Sequence, residues 1–153
     1  MSTVEAMSNT IEKLYAVDRI IAAFQKKPHD YGGISLHASE AHTLKLIGLQ
    51  EGISQTELSR QMFRTNGATS LVVDKLVSRG LVLRTREADN QRRYFLTLTE
   101  LGRKVHEAHL AYDDEQALHA AEAIELSEEE LQELSEHLDR FIAYYSNIYL
   151  KQA

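Results

Sequence analysis

Cysteine is absent from this 153-residue chain, and proline occurs once. Without cysteine there is no disulfide framework, no thiol nucleophile and no cysteine-ligated zinc site. One proline and seven glycines leave few positions that interrupt a helix, which favours a largely helical fold. No apolar run reaches the roughly 18 residues of a transmembrane helix, and the N-terminus lacks the pattern of a signal peptide. The sequence therefore predicts a soluble, cytoplasmic protein with no membrane contact.

Charge is unevenly distributed along the chain, although the net charge of −6 is acidic. Residues 1–53 carry a net charge of −1, residues 54–104 carry +5, and residues 105–153 carry −10. A basic middle third between acidic ends is the electrostatic pattern of a local nucleic-acid-binding surface. Charge alone leaves open the alternative that surface Lys and Arg cluster there by chance.

Six segments carry apolar residues at the three- and four-residue steps of an amphipathic helix. They span residues 4–27, 40–50, 54–62, 66–79, 99–123 and about 128–150. Side chains suited to accept hydrogen bonds from free backbone N–H groups stand at the helix starts. These are Ser39, Thr65 and Thr99 as N-caps, and the pairs Ser54/Glu57 and Ser127/Glu130 as capping boxes. Gly80 follows the fourth helix, where a left-handed residue commonly ends a helix.

After Gly80 the residue pattern changes from helical to extended. Residues 81–86 and 93–98 are rich in Val, Leu, Thr, Tyr and Phe, and they flank the polar stretch 87–92. This pattern predicts a β-hairpin. A short helix, a turn, a second helix and a hairpin follow one another in a winged helix-turn-helix. We therefore predict a mainly α fold with a small β-hairpin and long helices at both ends.

Motifs in the middle of the chain resemble the MarR family of bacterial transcriptional regulators. They are the run from Leu58 to Leu76, the helix exit Ser78-Arg-Gly-Leu-Val82, and the wing Arg92-Arg93 followed by Leu96-Thr-Leu-Thr-Glu-Leu-Gly102. The resemblance covers about residues 36–104 in motif and the whole chain in the order of elements. The sequence departs from the family at the wing, where Asp89 stands three residues before Arg92 rather than beside it. It departs also on the recognition helix, which offers Asn66, Ser70 and Leu71 where the family often has Arg.

The winged helix-turn-helix predicts how double-stranded DNA is bound. Helix 66–79 is short enough to enter a major groove, and the hairpin tip can reach the neighbouring minor groove. Arg92 is the expected minor-groove side chain, because a narrow minor groove attracts arginine. We expect Asn66 to read bases, and hydroxyls and helix starts to hold phosphates. The predicted DNA-binding residues are Ser54, Gln55, Thr65, Asn66, Gly67, Ala68, Ser70, Leu71, Lys75, Arg86, Asp89, Arg92 and Arg93.

Apolar stripes on the first and last helices have no partner within a single winged module. The resemblance implies a homodimer, with an N-terminal dimerisation helix in residues 1–35, a DNA-binding lobe in 36–98 and C-terminal dimerisation helices in 99–153. Two recognition helices related by two-fold symmetry imply a pseudo-palindromic operator with half-sites about 34–36 Å apart. Packing of the terminal helices on each other within one chain is the alternative.

Histidines form a second candidate site. His106, His109 and Asp113 share one stripe of the 99–123 helix, and His42 lies on a helix expected to pack beside it. Imidazoles with a carboxylate suit Zn²⁺, which makes His42, His109 and Asp113 a candidate metal site. Glu40-Ala-His42 with His106-x-x-His109 resembles the family branch that includes zinc-uptake and fatty-acid-synthesis repressors, and this match does not choose between them. A pocket for an organic or acyl effector, lined by all four side chains, and plain interhelical contacts are the alternatives.

The chain shows neither a phosphate-binding glycine loop nor a nucleophile elbow, so we predict that it is not an enzyme. The resemblance implies a repressor that binds DNA as a homodimer, requires no cofactor and responds to a small-molecule, acyl or metal effector. A Zn-responsive repressor is one alternative to an organic effector. A helical protein–protein interaction module without DNA binding is an alternative of another class.

Overall fold

The computed structural model describes residues 1–90 and 92–152 and is mainly helical. Its helices are α1 (Thr3–Phe24), α2 (Ala38–Leu49), α3 (Gln55–Gln61), α4 (Asn66–Ser78), α5 (Glu100–Ile124) and α6 (Glu128–Gln152). Its strands are β1 (His29–Tyr31), β2 (Ile34–Leu36), β3 (Ile53–Ser54), β4 (Val82–Arg86) and β5 (Tyr94–Leu98). The predicted mainly α fold with a small β-hairpin is therefore confirmed.

The strands form two antiparallel sheets. In the first, β1 pairs with β2, and His29 lies opposite Leu36. In the second, the order is β3-β5-β4, and Arg86 lies opposite Tyr94 at the end of the β4–β5 hairpin next to its loop. This hairpin is the predicted wing, and of its tip, 87–92, Gln91 lies outside the described residues.

The predicted N-caps are correct for three helices that have a Ser or Thr directly before them or at the start of their capping box. Thr65, Thr99 and Ser127 cap α4, α5 and α6 as expected. The prediction for α2 is wrong, because the helix begins at Ala38 and the Glu40 carboxylate accepts the His37 backbone N–H at 3.0 Å. Ser39 therefore lies inside the first turn.

The predicted capping box of α3 forms only in part. Ser54 Oγ accepts the Glu57 backbone N–H at 3.1 Å, as expected. The Glu57 carboxylate does not reach back to Ser54, because it accepts hydrogen bonds from the Arg60 guanidinium at 2.6 and 2.8 Å. These bonds lower the pKa of Glu57 to about 2, so the carboxylate is charged and Arg60 is paired at neutral pH.

The hydrophobic core lies where α2, α3, α4, the wing sheet and the first half of α5 meet. Its most deeply buried side chains are Leu36, Leu44, Ile47, Leu58, Val73, Leu76, Leu81, Val82, Leu96, Leu98 and Val105. No described residue of α1 or α6 is buried. None of the helices in the described ranges is long and apolar enough to cross a membrane.

Gly80 and Leu81 join the recognition helix, the wing and α5. Gly80 has a φ of +69°, as its predicted left-handed position requires, and its carbonyl accepts the Thr99 hydroxyl at 2.6 Å. The Leu81 backbone N–H donates to the Leu76 carbonyl at 3.0 Å, and the Leu81 carbonyl accepts the Thr99 N–H at 3.1 Å. Gly102 approaches that carbonyl so closely that a β-carbon there would overlap it.

We expect Gly102→Ala to destabilise the protein by about 3 kcal/mol, because its β-carbon would overlap a backbone oxygen that cannot rotate away. This corresponds to a melting temperature lower by roughly 6–12 °C. The matched control is Gly67→Ala in α4, whose β-carbon would meet nothing within 4 Å. Thermal unfolding should show the control at or above the wild-type value. A Gly102→Ala protein that melts with the wild type would contradict the proposed contact.

Candidate nucleic-acid interface and adjoining histidine pocket

Helix α4 has one buried face and one exposed face. Thr69, Val73 and Leu76 point into the core. On the other side Leu71 is 67% exposed. The exposed predicted contact residues of this helix are Asn66, Gly67, Ala68, Leu71 and Lys75, and Ser70 is half-buried beside them. A polar surface with one projecting apolar side chain is suited to the base edges of a major groove, where the thymine methyl group offers an apolar contact.

Both helices of the helix-turn-helix, α3 and α4, begin with a hydroxyl N-cap. Thr65 Oγ1 accepts the Ala68 backbone N–H at 3.1 Å, as Ser54 does at the start of α3. The caps leave other N–H groups of each first turn without an intrahelical partner, and such groups attract phosphate. Gln55 occupies the first position of α3, and its side-chain Oε1 is buried without a hydrogen-bond partner in the described ranges.

An ion pair fixes the wing against α4. Arg84 Nη1 of β4 lies 2.6 Å from Asp74 Oδ1 of α4. The ring of Tyr94 on β5 contacts the guanidinium groups of Arg84 and Arg86, at 5.3 and 5.4 Å from the ring centroid. These contacts hold both arginines along the wing. The sequence predicts a role for Arg86 but not this brace, because only the folded hairpin brings Arg84 to Asp74.

Two arginines at the tip of the wing, Arg93 and Arg92, differ in their contacts. Arg93 Nη1 lies 3.8 Å from Glu87 Oε2, and its guanidinium lies over the Phe95 ring at 5.3 Å. Arg92 is exposed, and its backbone N–H donates to Asn90 Oδ1 at 3.1 Å. Within residues 1–90 and 92–152, neither Arg92 nor the exposed Asp89 has an ion pair. In the described part of the tip, Arg93 is thus paired with Glu87, and Arg92 is exposed.

A pocket of about 200 Å³ lies between the end of α1, the β1–β2 hairpin, α2 and α5. Aromatic and imidazole rings form most of its wall. The ring centroids of His29 and Tyr112 are 4.0 Å apart, those of Tyr31 and His109 are 4.9 Å apart, and those of His42 and His109 are 5.7 Å apart. The β1–β2 hairpin and α2 therefore both contact α5 through pairs of rings that line this pocket.

His109 is the most deeply buried titratable group of this pocket, at 1% exposure. Its Nε2 lies 3.4 Å from Asp113 Oδ1, and its Nδ1 has no hydrogen-bond partner among the described residues. Burial lowers the pKa of His109, and the Asp113 carboxylate opposes this shift only in part. Burial also lowers the pKa of His42. At neutral pH the imidazoles of His42 and His109 are therefore neutral.

The structure brings together three of the four predicted effector residues, His42, His109 and Asp113. His106 lies apart from these three, because its ring packs against α2, where a β-carbon on Gly48 would lie 2.7 Å from its Nε2. Gly48 gives the imidazole the space that any larger residue would fill. His106 therefore lies outside the pocket although it shares a helical stripe with His109.

The pocket residues fit a metal ion poorly. Asp113 Oδ2 accepts a hydrogen bond from Lys45 Nζ at 2.5 Å, so the carboxylate already has a cation as its partner. Across residues 1–90 and 92–152, no group of three or more His, Cys, Asp or Glu side chains is arranged to hold a metal ion. His42, His109 and Asp113 are thus not arranged as the Zn²⁺ site that the sequence suggests. In addition, Lys45 already occupies the Asp113 carboxylate that would bind the ion.

Residues 36–94 match the model of the MarR family. This match confirms the resemblance identified in the sequence. An uncharacterized HTH-type transcriptional regulator of Bacillus subtilis (strain 168), YhjH, is 32% identical over 77 residues. The aligned region covers 50% of this chain and 44% of that relative, so the chain spans less than half of the relative's length.

Solved structures of transcription regulators share the fold. The regulator SlyA has a TM-score of 0.81 at 17% identity, over 94% of this chain and 99% of that one. A mutant MarR from E. coli complexed with operator DNA has a TM-score of 0.60 at 26% identity, over 69% of this chain and 75% of that one. The winged helix-turn-helix read from the sequence is thus confirmed as the fold.

The depressed pKa of His109 predicts a loss of stability in mild acid. Below the ordinary imidazole pKa of about 6.5, the unfolded chain binds a proton that the folded protein resists, so the free energy of unfolding falls as the pH decreases. We expect His109→Gln to lose less melting temperature than the wild type between about pH 7.5 and about pH 5.5. His119→Gln, at an exposed position of α5, should keep the wild-type loss. An equal loss in His109→Gln and the wild type would argue against the buried neutral imidazole.

Proposed function

We propose that this protein is a transcriptional repressor that binds a pseudo-palindromic DNA operator as a homodimer. The observation that carries the proposal is the exposed face of α4, from Asn66 to Lys75, beside a wing whose Arg92 is exposed. Helix α4 enters the major groove of each half-site, and the wing tip lies over the flanking minor groove. The similar MarR structure with operator DNA supports this mode of binding.

The individual contacts follow from the position of each side chain. Asn66 stands at the first turn of α4, where its amide can donate and accept with one base edge, and the exposed Leu71 contacts a thymine methyl group. Lys75, Arg86 and Arg93 lie near phosphates. The brace between Asp74 and Arg84 keeps the wing at a fixed distance from α4, so that both elements bind one duplex together.

Dimerisation is supported by the apolar surfaces of α1 and α6. A groove of about 450 Å³ between them is lined by Leu14, Leu138, Phe141, Ile142, Tyr145 and Tyr149, with Phe63 at one end. On α6 alone, Leu134 is 46% exposed and Ile142 is 55% exposed. Contiguous apolar surface of this kind marks an interaction site, and a second copy of the two helices matches it.

Regulation is proposed to occur at the histidine pocket. Its volume suits a small organic molecule or one end of an acyl chain, with His42 and His109 as neutral hydrogen-bonding groups and the aromatic rings as apolar wall. Such an effector changes DNA binding only to the extent that it binds the two separations of the recognition helices with different affinity.

Arg92→Ala should weaken binding to a mixed-sequence DNA duplex and make the dependence of log Kd on log salt shallower by about one unit per protomer, because one phosphate-neutralising contact is lost. Fluorescence anisotropy over a salt series measures both quantities. Arg19→Ala on α1 removes the same charge from an exposed position outside the DNA-binding lobe and should leave the slope unchanged. An unaltered slope for Arg92→Ala rejects the wing contact.

Leu138→Glu should convert dimers into monomers in sedimentation velocity, because it places a charge in the apolar groove between α1 and α6. Operator binding should weaken by at least about tenfold, since one recognition helix then loses its partner. Gln132→Glu adds the same charge on α6 at a residue that does not line the groove, and it should remain dimeric. A Leu138→Glu protein that sediments as a dimer would place the dimer interface elsewhere.

A further inference from the structure

Arg79 connects the end of the recognition helix to the β1–β2 hairpin. It is the C-terminal cap of α4, and its Nη2 donates to the Ser35 carbonyl of β2 at 2.8 Å. Its Nη1 lies 3.9 Å from Oε1 of Glu40, whose carboxylate is nearly buried and whose Oε2 holds the start of α2. One guanidinium thus contacts both β2 and α2 from the end of α4.

The same hairpin forms one wall of the histidine pocket. Tyr31 and His29 of β1 contact His109 and Tyr112 of α5 through their rings. Leu36 of β2, the neighbour of Ser35, is 1% exposed and also lines the pocket. Ser35 lies opposite Asp30, between His29 and Tyr31, so the carbonyl that Arg79 holds belongs to the same three-residue pairing as the pocket residues.

We propose that Arg79 is a positioning residue that transmits the state of the histidine pocket to the recognition helix. The path runs from His109 and Tyr112 on α5, through the ring contacts to β1, across the hairpin to Ser35, and through Arg79 into the last turn of α4. This inference rests on the proposed DNA-binding function and specifies how the pocket regulates it. These residues form one contiguous set of contacts from the pocket to α4, and a mutational cycle measures the coupling that they carry.

The chemistry of the link requires arginine. A guanidinium presents donors in two directions in one plane, so it can hold the Ser35 carbonyl and face the Glu40 carboxylate at the same time. A positive charge at the C-terminal end of α4 also matches the helix dipole. Arg79→Met keeps much of the apolar stem and removes both polar contacts, and it is therefore the variant that disconnects the hairpin from α4.

A double-mutant cycle on DNA affinity tests the link without a known effector. The pocket variants are His109→Gln and, in a second cycle, Tyr112→Leu, which removes the ring stacked on His29. The probe is the tightest-binding duplex recovered from a random-sequence pool. We expect each pocket variant to change Kd by at least about threefold when Arg79 is present and by less than about twofold in the Arg79→Met background.

Arg103→Met is the matched background, since Arg103 of α5 also pairs with a carboxylate, that of Glu51, at 2.5 Å. The pocket variants should keep their full effect there. Equal fold-changes with and without Arg79, or pocket variants that leave Kd unchanged when Arg79 is present, would overturn the proposal.

A wild-type protein that binds no duplex would refute the proposed function but not the link, which hydrogen exchange then tests directly. The pocket variants should change the exchange rates of the last-turn amides of α4 only while Arg79 is present. Rates that change equally in the Arg79→Met background, or in neither background, would overturn the link.

Discussion

The close approach of α5 to the backbone of Gly80 and Leu81 is the constraint on which the rest of the structure depends. Three hydrogen bonds and one glycine contact join the end of α4, the start of the wing and the start of α5 at this point. Gly80 supplies the left-handed turn, and the absence of a side chain at Gly102 permits the contact. The recognition helix and the wing are thereby held in one orientation relative to α5, whose middle lines the histidine pocket.

The side chains proposed to bind DNA or a second copy lie outside the hydrophobic core. Thr69, Val73 and Leu76 bury one face of α4, and the opposite face remains free for a partner. Apolar side chains of α1 and α6 remain exposed in the single chain, in line with the proposed second copy. The proposed DNA surface, the proposed dimer surface and the pocket are thus separate regions of the molecule, and α5 connects them.

Local signals predict most of the fold and part of the site. Thr65, Thr99 and Gly80 act through hydrogen bonds or φ angles within a few residues, so their roles can be read from sequence. Strands β1 and β2 could not be predicted, because three residues are too few to show the alternation of apolar and polar side chains that marks a strand. The position of His106 could not be predicted, since it depends on the space left by Gly48 on another helix. Lys45 is missed as the partner of Asp113 for the same reason: the pair forms only when α2 packs on α5.

Selection of bound sequences from a pool of random DNA duplexes tests the central claim most directly, which is that the exposed faces of α4 and the wing of two protomers bind one duplex. The account predicts recovered sites with two-fold symmetry, half-site centres about 34–36 Å apart, and A·T-rich flanks where the wing meets a narrow minor groove. Recovery of no enriched sequence, or of asymmetric single half-sites from a dimeric protein, would contradict it.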